Sequence, residues 1–288
     1  MPIFTAPDGT PLAYHVRGEG EPLVVLPGGP MRASEYLGDL GGLAARRRLI
    51  LLDLRGTGDS SAPADPATYR CDRQVEDVEA LRVHLGLERM DLLAHSAGGS
   101  LALLYAARHP RRVARLVLVT VIPRVLGRPA TPGERLAAAR LRADEPWFTT
   151  AFPAFEAWTA GGEDVDLTAV DAFFYGRWDD TARAHAAAAD EQTDEEAEGR
   201  FHDPAAYDPP AVRAALAGVD APVLVLAGEL DGGPRPEPAR LLADAFPHAE
   251  FAVQPGAAHY PWLDDPAWFT ARTEAFLAGE APPPAAAE

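Results

Sequence analysis

The chain has 288 residues, 47% hydrophobic and 8% aromatic, enough to bury a large core in one α/β domain with an inserted subdomain. Its formal net charge is −17, from 26 basic and 43 acidic residues, and every basic residue is Arg. Nucleic acid is therefore a poor partner, and P-loop or Schiff-base lysine chemistry is excluded. One cysteine, Cys71, allows no internal disulfide and no Cys-based metal site. No apolar stretch is long enough to span a bilayer, and Met1–Thr10 lacks the pattern of a signal peptide, so the expected location is the cytoplasm, away from membranes.

In chain order, Ile3–Thr5 and Leu12–Arg17 read as short strands around the Asp8-Gly9 turn, a hairpin at a sheet edge. Leu23–Leu26 reads as a buried strand running into Pro27-Gly28-Gly29-Pro30, which no regular element can cross. Ser34–Ala45 predicts a helix, and Leu49–Leu52 a second buried strand closed by Asp53-Leu54-Arg55-Gly56-Thr57-Gly58-Asp59-Ser60. Asp72 predicts a cap for a helix over Gln74–Leu85, where Val75, Val78, Leu81 and Leu85 recur at helical spacing. Leu92–Ala94 predicts a strand, Gly98–Arg108 a helix, and Val113–Val121 a further strand. Strands alternating with helices across short loops argue for a mostly parallel central sheet with helices on both faces.

The pattern changes after Pro123. Helices are predicted over Gly133–Ala143, Trp147–Thr159, Leu167–Trp178 and Asp179–Ala189, with no buried strand up to Arg213 and many aromatics, most of them a core of their own. Alternation resumes with a strand at Pro222–Ala227, a helix over Pro238–Phe246, a strand at Glu250–Val253 and a helix over Pro266–Ala278. The expected organisation is a core over 1–123 and 214–280, a helical insertion over 124–213 and a disordered tail over 281–288.

The chemistry centres on Met90–Ser100. Strand, sharp turn and helix meet at His95-Ser96-Ala97-Gly98-Gly99, which places Ser96 at the apex of a nucleophile elbow. The apex backbone is strained, so the residues two before and two after it must be small, as Ala94 and Gly98 are. A serine hydroxyl needs a base to take its proton and a carboxylate to fix that base's tautomer. In this architecture the two follow the serine on loops after C-terminal strands. Gly228-Glu229-Leu230-Asp231 presents Asp231 as the acid, with Glu229 supporting the loop, and Gln254-Pro255-Gly256-Ala257-Ala258-His259 presents His259 as the base. Of the other histidines, His95 is buried in the elbow strand and His109 ends a helix. His15, His84, His185, His202 and His248 are expected to be solvated. The backbone N–H groups of Gly29 and Ala97 are the candidate oxyanion donors. No metal or cofactor is required.

Taken together, Pro-Gly-Gly-Pro at 27–30, Asp-x-Arg-Gly-x-Gly-x-Ser at 53–60, His-Ser-x-Gly-Gly at 95–99, Gly-x-x-Asp at 228–231 and the His259 loop resemble the α/β-hydrolases, and most of all their proline iminopeptidase-like group. The resemblance covers the core on both sides of the insertion. It implies an α/β-hydrolase fold, a Ser96–His259–Asp231 triad under a helical cap, and a structural role for Arg55 and its glycines. True proline iminopeptidases usually begin the oxyanion loop with His, where this chain has Pro27. Some carry a second acid after the triad Asp, where this chain has Gly232. They hold the substrate's free α-amine with cap carboxylates. The run Asp190, Glu191, Asp194, Glu195, Glu196 and Glu198 falls in the corresponding part of the chain, which makes Glu195 and Glu196 candidate amine anchors and a solvated helix face the competing reading.

The expected function is cleavage of an amide or ester in a small or short peptide-like substrate through an acyl-enzyme, by an aminopeptidase or aminoacyl-amide hydrolase. A carboxylesterase or lactonase, and a non-catalytic binding protein on the same scaffold, are the alternatives.

Overall fold

The computed structural model describes Met1–Ala281, so the expected tail from 282 onward lies outside the described residues. These residues build an eight-stranded sheet from β1 (Ile3–Thr5), β2 (Pro11–Arg17), β3 (Pro22–Leu26), β4 (Arg48–Leu52), β5 (Met90–His95), β6 (Val113–Val119), β7 (Val223–Gly228) and β8 (Ala249–Gln254). The spatial order is β1-β2-β4-β3-β5-β6-β7-β8. Only β1–β2 and β2–β4 pair antiparallel, and every other neighbour is parallel.

Strand side chains alternate between two cores. Val24, Leu26, Ile50, Leu92, Leu116 and Val225 face α1 (Val75–His84), α2 (Gly98–Arg108), α9 (Pro209–Leu216) and α10 (Pro236–Ala243). Leu23, Val25, Leu49, Leu93, Val117 and Leu224 face the Tyr36–Leu43 segment, Trp262 in α11 (Pro261–Asp264) and Phe269, Phe276 and Leu277 in α12 (Pro266–Ala278). Each fully buried Leu or Val contributes about 1.5–3 kcal/mol of hydrophobic stabilisation. Both faces being covered explains the near-continuous apolar runs of the strands.

Between β6 and β7 lie α3 (Pro132–Arg140), α4 (Phe148–Thr159), α5 (Leu167–Asp171), α6 (Asp180–Ala187), α7 (Ala189–Gln192), α8 (Glu195–Phe201) and α9. Phe155, Val170 and Phe173 form a separate apolar cluster there, packed by Trp147, Phe148, Phe152, Trp158 and Phe174. Many of the segment's acids start helices. Asp166, Asp179, Asp194 and Asp208 each accept the N–H three residues on, leaving fewer orphan donors at the N-termini of α5, α6, α8 and α9.

Three local expectations are corrected. Ser34–Ala45 is not a helix but two short 3₁₀ turns, Ser34–Leu37 and Leu43–Ala45. Gly38, Leu40, Gly41 and Gly42 all take positive φ between them, which a right-handed helix does not allow. Asp72 does not cap α1, because its carboxylate binds the Arg70 guanidinium and the helix begins after Gln74 without a side-chain cap. The helix expected over Leu167–Trp178 stops at Asp171 and turns through Ala172–Phe174 into extended chain at Tyr175. Tertiary bonds prevail there: Arg142 donates to the Tyr175 carbonyl, and Gly176 N–H donates to Asp264.

Candidate active site

Ser96 sits at the end of β5 with φ +51°, a left-handed conformation that costs an L-residue about 1–2 kcal/mol. The elbow holds it there by tight packing against the end of β3. A Cβ added to Gly98 would lie 2.3 Å from the Pro27 carbonyl oxygen, so only glycine lets the first turn of α2 pass. A Cβ on Gly28 would lie 2.9 Å from both the His95 carbonyl oxygen and the Ser96 Cβ. The Pro27–Pro30 loop therefore rests directly on the elbow.

The loops after β7 and β8 bring the expected acid and base to this point. Ser96 Oγ is 2.8 Å from His259 Nε2, and His259 Nδ1 is 2.9 Å from Asp231 Oδ2. Asp231 is fully buried, and its other oxygen accepts the Gly233 N–H at 2.7 Å. An ionised carboxylate only accepts, so the proton of neutral His259 sits on Nδ1 and the Nε2 lone pair faces Ser96. Glu229 supports the loop pair by accepting the Gly256 N–H at 2.8 Å.

The His259 backbone is anchored from three sides. Its N–H donates to the Phe174 carbonyl at 3.0 Å, and its own carbonyl accepts from Thr120 Oγ1 at 3.0 Å and His95 Nε2 at 2.9 Å. His95 Nδ1 meets Tyr36 Oη at 2.7 Å, and Tyr36 Oη accepts the Gly28 N–H at 2.7 Å. Burial lowers the His95 pKa well below its ordinary value, with His259 adding to that, so the ring is neutral. The elbow histidine thus links the Pro27–Pro30 loop to the His259 loop, a role its place beside Ser96 hinted at but the sequence reading did not assign.

Beside Ser96 opens a cavity of about 190 Å³. Gly29 and Ala97 line it, and neither backbone N–H donates to another protein group among the described residues. Gly29 takes φ +116°, and a Cβ there would lie 2.7 Å from the Arg32 nitrogen. Trp158, Phe174, Arg124, Arg135 and His202 form much of the remaining wall. None of the described residues lining the cavity is Asp or Glu.

Glu195 and Glu196 lie elsewhere, exposed in the first turn of α8, where negative charge suits the helix dipole. Glu196 pairs with Arg200 at 3.3 Å, and neither glutamate reaches the cavity wall. Two histidines expected to be solvated are not. His185 binds Tyr175 Oη and the Tyr36 carbonyl, and His202 lines the cavity with its Nδ1 buried and unpartnered. Burial pushes the Cys71 thiol up to about 12, which removes it as a nucleophile.

His15, Asp53 and Asp59 are a group of metal-ligand type among the described residues, but both Asp53 oxygens are occupied. They accept from Ser34 N–H and Oγ, from Asp59 N–H and from His15, joining β2, β4 and the Ser34 turn. No helix among the described residues is long and apolar enough to cross a membrane.

An elbow serine, a histidine and a buried carboxylate at the carboxyl ends of parallel strands define an α/β-hydrolase site. A family profile of the alpha/beta hydrolase fold matches residues 21–266, and the chain belongs to that family. Within it the chain is similar to proline iminopeptidases. That of Lactobacillus helveticus is 42% identical over 110 residues, which span 37% of this chain and 37% of that relative. That of Levilactobacillus brevis is 29% identical over 273 residues, 89% of this chain and 88% of that one. Among solved structures, the proline iminopeptidase of Mycobacterium smegmatis superposes with a TM-score of 0.71 at 26% identity, covering 96% of this chain and 98% of that chain. An esterase from a Rhodococcus species does so with 0.69 at 26% identity, covering 98% and 100%.

Proposed function

We propose that this chain is a serine hydrolase that cleaves a small ester or lactone through an acyl-enzyme on Ser96. The observation that carries this reading is the continuous chain from Ser96 Oγ through His259 to Asp231, at 2.8 and 2.9 Å, opening on a cavity. His259 Nε2 takes the Ser96 proton as Oγ bonds to the substrate carbonyl carbon, and Asp231 stabilises the imidazolium that forms. The carbonyl oxygen becomes an oxyanion held by the Gly29 and Ala97 N–H groups, each such donor being worth about 100- to 1,000-fold in rate. Collapse of this intermediate expels the leaving oxygen, which takes its proton from His259. Water then repeats the sequence against the acyl-enzyme, with His259 as its base, and releases the acid. The helices between β6 and β7 act as the cap, with Trp158, Phe174 and His202 closing the cavity over Ser96.

The second reading, a proline iminopeptidase-like aminopeptidase, is favoured by the relatives of that name. The ester reading is preferred because, among the described residues, no carboxylate lines the cavity to hold a substrate amine.

A panel of short-chain nitrophenyl esters, a small lactone, and prolyl- and alanyl-nitroanilides, with Ser96→Ala as control, separates the two. Ester turnover lost in Ser96→Ala supports the first reading, and turnover confined to the free-amine anilides supports the second. A folded protein that neither turns over nor accepts a fluorophosphonate on Ser96 is a binding protein, and both readings fail.

A further inference from the structure

The cavity wall beside Ser96 carries two guanidinium groups that the proposed chemistry does not use. Several arginines that are shielded from solvent in this chain meet a carboxylate. Arg47, Arg55, Arg82 and Arg128 all do. Arg124 and Arg135 do not: among the described residues neither side chain makes an ion pair or a hydrogen bond, and both line the cavity.

Their placement keeps those donors available. Arg135, in α3, lies over the Trp158 ring at 4.7 Å, a contact that supports the face of the guanidinium without using its N–H groups. Burial lowers the Arg135 pKa, with Asp231 acting against that and Arg124 adding to it. Arg124 follows β6 in the 3₁₀ turn Arg124–Leu126, and its charge also acts on His202. Burial, with Arg124 adding to it, pushes the His202 pKa down to about 4, so this ring is neutral at pH 7. The neutral ring therefore adds no charge to the cavity wall that it lines. Two half-buried cations, walled by Trp158 and Phe174, are complementary to a planar anion. Asp231 supplies the nearby negative charge, but His259 and Gly233 already occupy its two oxygens.

We infer that Arg124 and Arg135 bind a carboxylate of the substrate, so that the enzyme hydrolyses esters or lactones whose molecules also carry a free acid, such as half-esters of short dicarboxylic acids. This inference rests on the serine hydrolase reading and names the substrate class of that same site.

The test compares mono-nitrophenyl esters of succinic, glutaric and adipic acids with the same compounds capped as methyl esters. At least one free acid is expected to exceed its capped partner in kcat/KM by about 10- to 100-fold, the range of one or two charge-assisted hydrogen bonds. The preference is expected to fall toward unity in Arg124→Gln and Arg135→Gln, and to survive in part in Arg135→Lys, which keeps the charge and guards against a mere packing defect. Added salt erodes it less than it would at an exposed site. A wild-type enzyme that cleaves every capped ester as well as or better than its free acid overturns the inference while leaving the hydrolase intact. If Ser96 accepts a fluorophosphonate but no ester in the set turns over, glutarate protection is the readout. Protection by glutarate but not by glutaramide, lost in Arg135→Gln, sustains the inference, and equal or absent protection overturns it. Failure of Ser96 to react at all in the folded protein instead removes the hydrolase reading.

Discussion

The His95 ring reaches from the elbow strand to the backbone of His259: its Nε2 lies 2.9 Å from the His259 carbonyl oxygen. The carbonyl fixes the direction of that bond. A carbonyl oxygen only accepts, so the proton of the neutral ring sits on Nε2, and Nδ1 accepts the Tyr36 hydroxyl proton while Tyr36 Oη accepts from Gly28 N–H. A single run of hydrogen bonds thus sets the spacing between the Pro27–Pro30 loop and the proposed base.

Tyr36→Phe breaks this run at its centre and leaves the Gly28 N–H and His95 Nδ1 buried without partners. The expected loss of stability is about 1–3 kcal/mol, readable as a lower urea midpoint. Because Tyr36 acts through the two loops and does not line the cavity, kcat is expected to fall about tenfold with KM little changed. An equal rise in KM would assign Tyr36 to substrate binding instead.

For the triad, Ser96→Ala, His259→Ala and Asp231→Asn are each expected to lower kcat by about 1,000-fold or more. They act as one unit, so the Ser96→Ala/His259→Ala pair is expected to be no slower than the worse single variant. Additive losses, measured on an ester that the wild type turns over, would contradict a shared proton path.

The strands, the sharp turn at Ser96 and the meeting of Ser96, His259 and Asp231 were legible because each is written in local chemistry: an apolar run, a small residue where backbones cross, a glycine-rich loop at a strand end. The Ser34–Ala45 helix does not form because Gly38, Leu40, Gly41 and Gly42 take positive φ, and backbone conformation of that kind is only weakly written in residue type. The cavity wall was not legible. Arg124, Arg135, Trp158 and His202 come from four separate elements, and only the angles at which the inserted helices pack bring them to Ser96. Glu195 and Glu196 lie away from the cavity, because residues that start and charge a helix N-terminus look in sequence like residues that bind a cation.

Arg55 shows the opposite case, a charged residue in a motif that only holds the fold. Its guanidinium is 2% exposed and binds Asp77 through two bonds of 2.8 and 2.5 Å, Asp8 at 2.8 Å and Thr68 at 2.6 Å. Arg55→Met strands the buried Asp77 carboxylate and is expected to cost about 3–5 kcal/mol. Adding Asp77→Leu removes the orphan charge and should recover much of the loss. The kcat/KM of the folded fraction is expected to stay at the wild-type level in both variants. A drop in kcat/KM without a drop in stability would move Arg55 from the scaffold to the chemistry.

The insertion also carries a pH dependence that a single substitution exposes. Asp171, at the end of α5, has its pKa raised to about 6, chiefly by burial, with Asp190 adding to it and Arg32 opposing. Its carboxylate has no hydrogen-bond donor among the described residues. The fold therefore favours the neutral acid. That contribution is complete below the unfolded value of about 4 and is lost as pH rises through about 6. Asp171→Asn carries no charge at any pH and escapes the loss. Relative to wild type it is expected to gain about 1–2 kcal/mol at pH 7, at ~1.4 kcal/mol per pH unit reduced for solvent screening, and nothing at pH 4. Urea unfolding of both proteins at the two pH values reads the difference directly. A gain of equal size at pH 4 and pH 7 would mean that the substitution acts through packing, with the charge of Asp171 playing no part.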